Sequence, residues 1–114
     1  MIEPGQIVLF RFPQTDLQEG KLRPALLLAK APGRFNDWLV CAISTQLHQH
    51  IPDFDEIIRE SDDDFSESGL KTESLFRVGR LAVLDASIFE GAIGRINPER
   101  LRQIRSRLAN WLSG

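Results

Sequence analysis

The sequence predicts a mainly β chain, a small barrel-like fold with one appended C-terminal helix. Two observations carry that prediction. Five or six short runs rich in β-branched and aromatic residues recur between residues 6 and 96, separated by turn signals. Clear helical periodicity then begins only after Asn97. Strands first and a lone helix last is the pattern of a closed or curled sheet with one helix packed on it.

The elements follow in order. Residues 6–12 place Ile7, Leu9 and the stem of Arg11 on one face and Val8, Phe10 and Phe12 on the other, until Pro13 ends the run. Residues 13–23 are a polar loop with Gly20 near its tip. Pro24 holds Arg23 extended, and residues 25–30 form a nearly continuous apolar run, the mark of a strand buried on both faces. Pro32-Gly33 is a turn, and residues 38–43 form the next strand of a meander, ending at Ser44-Thr45. Residues 54–59 suit a short edge strand, and residues 60–68 an acidic loop or single helical turn before Gly69. Residues 75–84 are a strand with Gly79 at a bulge, and residues 88–96 a last strand weakened by Gly91 and Gly94. Asn97 is an N-cap, Pro98 suits the first helical position, and Glu99 favours the positive helix end. Leu101, Ile104, Leu108 and Leu112 then form an apolar stripe with Trp111 beside it. Arg100, Arg102, Arg105 and Arg107 occupy the other faces and read as a solvated surface.

Composition narrows the classes. A chain of 114 residues, 42% hydrophobic and 26% charged, fits one domain spanning 1–114. It has no apolar run near the ~18 residues of a membrane span and no N-terminal signal pattern, so a cytoplasmic location is expected. Cys41 is the only cysteine, which rules out an internal disulfide and a cysteine zinc site and makes it a small buried hydrophobe. His48 and His50 lack the partners of a metal site, and there is no phosphate loop, nucleophile elbow or dinucleotide fingerprint. No metal or cofactor is expected. The net charge of −2 is unevenly spread. Residues 53–67 hold eight acids against Arg59, which is −7, while the rest holds 13 bases and eight acids, which is +5. The acidic stretch fits no calcium loop and reads as a solvated loop.

What remains for chemistry is Arg23 with Ser44 and Thr45, and Lys71 with Glu73 after Gly69. In a meander the start of one strand and the end of the next meet at one edge of the sheet. Arg23 would there offer a permanently charged fork to a phosphate, and the two hydroxyls further donors. A surface arginine beside an ordinary Ser-Thr strand end is the competing explanation.

Several segments occur together and in order: Pro4-Gly5-Gln6-Ile7-Val8-Leu9, then Gly20-Lys-Leu-Arg-Pro-Ala-Leu26, then Val40-Cys-Ala-Ile-Ser-Thr-Gln46. Ser68-Gly-Leu-Lys-Thr-Glu-Ser74 and the Gly94 turn before the last helix follow. Through them the chain resembles the MazF/PemK (Kid-like) toxins of type II toxin–antitoxin systems over essentially its whole length. The resemblance implies an SH3-like barrel, as in MazF, Kid and CcdB, assembled as a homodimer. It implies a metal-independent, sequence-selective endoribonuclease that cleaves single-stranded mRNA through the RNA's 2′-hydroxyl, leaving 2′,3′-cyclic phosphate and 5′-hydroxyl ends. Arg23 falls on the family's catalytic arginine, Ser44 on its catalytic threonine with Thr45 one place later, and Glu73 on a possible general base. Phe12, Gln14, Lys21, Gln46 and Lys71 fall where RNA would be held. The implied partner is an antitoxin whose acidic, disordered segment competes with RNA for Arg23. The alternative is a non-enzymatic barrel of the same fold, either a catalytically silent relative or a gyrase poison of the CcdB kind.

Overall fold

The sheet grows outward from its most apolar strands. In a computed structural model, which describes residues 2–11 and 21–114, strands β1 (Gln6–Arg11), β2 (Leu22–Lys30), β3 (Asp37–Ser44), β4 (Glu56–Ile58), β5 (Ser74–Asp85) and β6 (Ala92–Arg95) form one antiparallel sheet. Their order is β4-β5-β3-β2-β1-β6, so β2 and β3, the apolar pair, lie at the centre and the short strands at the edges. A four-residue helix α1 (Phe65–Ser68) precedes β5, and the long helix α2 (Pro98–Ser113) ends the chain. The expectations for Phe12, Pro13, Gln14 and the Gly20 loop tip lie outside the described residues. The last strand is shorter than expected: Ala86–Ile88 form a 3₁₀ turn, and Gly91, with φ 128°, breaks the extended backbone just before Ala92.

The curled sheet is buried on both faces, as the unbroken run of β2 requires. Leu26 and Leu28 join Ile7, Cys41, Ile43, Phe76 and Val78 under Ile104 and Leu108 of α2. Ala25 and Leu27 point the other way, into a second cluster with Val8, Phe10, Trp38 and Val40. Burial, with Asp55's negative charge adding to it, pushes the Cys41 thiol up to about 12, the behaviour of an inert core residue. Asn97 caps α2 as expected, its Oδ1 accepting from the Arg100 N–H at 2.7 Å. The apolar stripe ends sooner than its periodicity suggests. Leu112 is 69% exposed and Trp111 54%, with Trp111 meeting Phe54 edge-on at 5.5 Å between ring centres.

Two register shifts shape the sheet. The pairing of β2 with β3 shifts between Leu27 and Ala29, and the Leu28 carbonyl accepts from Nε and Nη2 of Arg105. The pairing of β3 with β5 jumps from Ala42–Arg77 to Cys41–Leu81, so Val78, Gly79 and Arg80 leave the ladder. This is the bulge expected at Gly79.

The charged segments correct the sequence reading. Part of the acidic stretch and part of the arginine-rich helix are folded onto each other, while Arg102 and Asp53, Glu60, Asp63 and Glu67 stay exposed as expected. Arg100, with its side chain only 10% exposed, binds Asp64 through Nε at 2.9 Å, Asp62 through Nη2 at 2.9 Å and Glu56 through Nη1 at 3.2 Å. Arg107 binds the other oxygen of Glu56 at 2.9 Å and the Asp55 carbonyl at 2.7 Å. Asp64, 4% exposed, also accepts from the Asn97 N–H at 3.1 Å. Burial alone would raise its carboxyl, but the Arg100 guanidinium and the Asn97 N–H outweigh burial and hold it below the usual carboxylate range. A folded value below the unfolded one, near 3.9, means the stabilisation is present at neutral pH and lost as pH falls below about 4. Arg100→Ala should cost about 3 kcal/mol in denaturant titrations at pH 7, because it strands the buried Asp64 carboxylate, while Glu56 keeps Arg107. The same variant should flatten the acid limb of a stability–pH curve.

Candidate active site

Pro24 keeps Arg23 extended at the start of β2, opposite Phe10 of β1. Ala25 pairs with Ala42 of β3, and both strands run on in that direction, carrying Arg23 and Ser44 to the same end of the sheet. There they share the boundary of a two-lobed groove. The larger lobe, about 830 Å³, places Arg23, Arg77, Arg80 and Ser44 around a floor that includes Phe10, Ala25 and Val40. The smaller, about 490 Å³, is lined by Lys21, Lys71, Thr45, Gln46 and Thr72 beyond the same Arg23 and Ser44.

The groove is electropositive and unneutralised. Among the described residues no Asp, Glu or His lines either lobe. Arg100, Arg102 and Arg107 of α2 are all ion-paired, whereas Arg23, Arg80, Lys21 and Lys71 have no acidic partner among the described residues. Arg77 is steadied by a neutral group, its Nη1 donating to Gln49 Oε1 at 2.8 Å. Ser44 Oγ accepts from the Gln46 N–H at 3.0 Å, so one lone pair is used while its proton remains available to a ligand. Thr45 is exposed and borders only the smaller lobe. No group of three or more potential metal ligands occurs among the described residues. Such a site can bind an anion and stabilise growing negative charge with fixed donors.

Six of the residues singled out in the sequence therefore meet at one groove: Arg23, Ser44, Thr45, Lys21, Gln46 and Lys71. Glu73 is not brought to it. Its Oε2 accepts from the Glu60 N–H at 3.1 Å and its Oε1 lies 3.5 Å from Arg59, while its neighbours Thr72 and Ser74 face the groove. Phe12 and Gln14 lie outside the described residues. Arg77, Arg80 and Thr72 were missed. Strict alternation puts Arg77 and Arg80 on opposite faces of a strand, and only the bulge between them turns both to the larger lobe. The bulge glycine was the one usable signal.

Residues 3–112 match the family described as PemK-like, MazF-like toxin of type II toxin–antitoxin system. The chain belongs to this family. Among solved structures, the Mycobacterium tuberculosis toxin MazF-mt6 superposes with a TM-score of 0.64 at 17% identity, over 97% of each chain. That likeness establishes the shared open-barrel fold. No curated protein matches the chain. The family assignment implies an antitoxin partner, and among the described residues no helix is long and apolar enough to cross a membrane.

The toxin's smaller lobe rests on an interlock of two glycines. Gly69 has φ 74°, and a Cβ there would lie 2.1 Å from the Ile93 carbonyl oxygen; at Gly94 a Cβ would lie 2.1 Å from the Glu67 carbonyl oxygen. Backbone, not a movable side chain, blocks both positions. Gly69→Ala should therefore lower unfolding stability by ~2 kcal/mol or more, since left-handed strain adds to the clash. Thermal or denaturant unfolding checks this, and unchanged stability would contradict the tight packing.

Proposed function

We propose that this toxin is a metal-independent, sequence-selective endoribonuclease that cleaves single-stranded mRNA, using the RNA's own 2′-hydroxyl as nucleophile. The observation that carries the reading is the Arg23 guanidinium, without an acidic partner among the described residues, beside Ser44 where the two basic lobes join. A chain of phosphates lying along the groove would put one of them at that junction, with Lys21, Gln46 and Lys71 on one side and Arg77 and Arg80 on the other. Attack by the 2′-oxygen forms the new P–O bond and gives its proton to solvent water, while the bond from phosphorus to the 5′-oxygen breaks and that oxygen takes a proton from water. The products are a 2′,3′-cyclic phosphate and a 5′-hydroxyl. Arg23 stabilises the charge that builds on the equatorial oxygens, and Ser44 donates a further hydrogen bond to them. The reaction needs neither a protein nucleophile nor a metal.

The same reading includes a homodimer acting in the cytoplasm and an antitoxin whose acidic, disordered segment occupies the groove. Carboxylates of such a segment would take the place of phosphates on the guanidinium groups of the groove.

Purified toxin incubated with long single-stranded RNA in EDTA should yield fragments ending in cyclic phosphate. Arg23→Ala should lower the rate about a hundredfold or more, roughly 3 kcal/mol of transition-state stabilisation. Full activity in Arg23→Ala would sink the site assignment. Intact RNA accompanied by DNA damage on expression would favour the gyrase-poison alternative. Glu73, tied to Arg59 and the Glu60 amide, is expected to hold the turn rather than move a proton. Glu73→Gln should then keep the cleavage rate to within about threefold; a loss of the ~100-fold size seen for general bases would restore Glu73 to that role.

A further inference from the structure

Asp55 is an ionisable residue only 2% exposed, yet no cationic side chain among the described residues pairs with its carboxylate. Both oxygens are used on backbone instead. Oδ2 accepts from the Ile51 N–H at 3.0 Å, within its own loop, and Oδ1 from the Val78 N–H at 3.1 Å, 23 residues away in β5. Val78 is the first residue of the bulge, where β5 leaves its pairing with β3. A bulge leaves N–H groups without ladder partners, and a buried unpaired N–H costs about 1–3 kcal/mol. Asp55 supplies the missing acceptor. The loop carrying it is anchored separately, by Arg107 on the Asp55 carbonyl and by Phe54 against Gly79, so the carboxylate is a fixed post. The residues on either side of the Val78-Gly79 step are Arg77 and Arg80, which the bulge alone turns into the same lobe.

We infer that Asp55 is a positioning residue for RNA binding: by holding the Val78 N–H it maintains the bulge that aims Arg77 and Arg80 at backbone phosphates. This rests on the reading of the groove as an RNA site. Asp55 acts through the two arginines and touches no substrate itself.

The test is a binding cycle on the full chain. The probe is a short single-stranded RNA containing a cut site mapped with wild type, made uncleavable by a 2′-deoxynucleotide at the cut. Its dissociation constant is measured across salt concentrations for wild type, Asp55→Ala, Arg77→Gln/Arg80→Gln and the triple variant. For a single strand, every phosphate that the protein ceases to neutralise lowers the log–log salt slope by about 0.7. Asp55→Ala, which removes both acceptor oxygens, should lower the slope by one to two such steps, weaken binding by roughly tenfold, and have no further effect once both arginines are gone. Amide exchange at Val78 should quicken in Asp55→Ala. A slope equal to wild type, an equal loss in both backgrounds, or an unchanged Val78 amide would overturn the inference. Should Asp55→Ala fail to fold, Asp55→Glu, which keeps the charge and moves the acceptor, takes its place with the same expected result. If wild type cleaves RNA but the cycle is additive, only the Asp55 role falls. If wild type neither binds nor cleaves RNA, the ribonuclease reading falls and takes this role with it.

Discussion

The Arg100 cluster ties the C-terminal helix to the β4 edge of the sheet and to the loop before α1. Three carboxylates, from Glu56 in β4 and from Asp62 and Asp64 before α1, converge on one guanidinium near the start of α2. Taken singly, each charge would be costly to bury; together they fix where the helix begins and which face it turns to the sheet. Ile104 and Leu108 then reach the core through the next turns of the same helix. The acidic loop is thereby a structural partner of the helix.

That pairing also decides the electrostatics of the rest of the surface. A net charge of −2 is, taken alone, unsuited to a polyanion. Three of the acids, however, Glu56, Asp62 and Asp64, are held by Arg100 and Arg107, and none of the three lines the groove. Among the described residues the groove keeps its cations without counter-charges, so the field a ligand meets is set by Arg23, Arg77, Arg80, Lys21 and Lys71. Net charge is an average over the two regions, and the average conceals the division of labour.

The strands, the Asn97 cap and the two-faced burial of β2 were legible because alternation, capping and apolar runs are local rules. Arg23 and Ser44 were legible as neighbours because an antiparallel meander brings the start of one strand to the end of the next. Arg77 and Arg80 were not, since their common direction depends on a carboxylate 23 residues away accepting from Val78. The fate of Arg100 and of Glu73 was hidden for a related reason. Side-chain pairing across 36 residues for Arg100 and Asp64, or 14 for Glu73 and Arg59, leaves no periodic trace in the chain. The apolar stripe of α2 was overextended because periodicity cannot tell where the covering sheet stops, and Leu112 lies past that point.

A groove of guanidinium groups without carboxylates beside them is itself a strained arrangement. Arg23, Arg77 and Arg80 border one lobe, and like charges gathered in this way disfavour the folded state. The fold tolerates this because the bulge and the Arg77–Gln49 contact hold the side chains on rigid strands, while the Arg100 cluster secures the helix side of the sheet. An anion entering the lobe relieves the repulsion and meets donors already in place, so little reorganisation opposes binding. The same argument applies to a phosphate chain and to an acidic peptide. A site built this way discriminates between them by shape and spacing along the two lobes, not by charge.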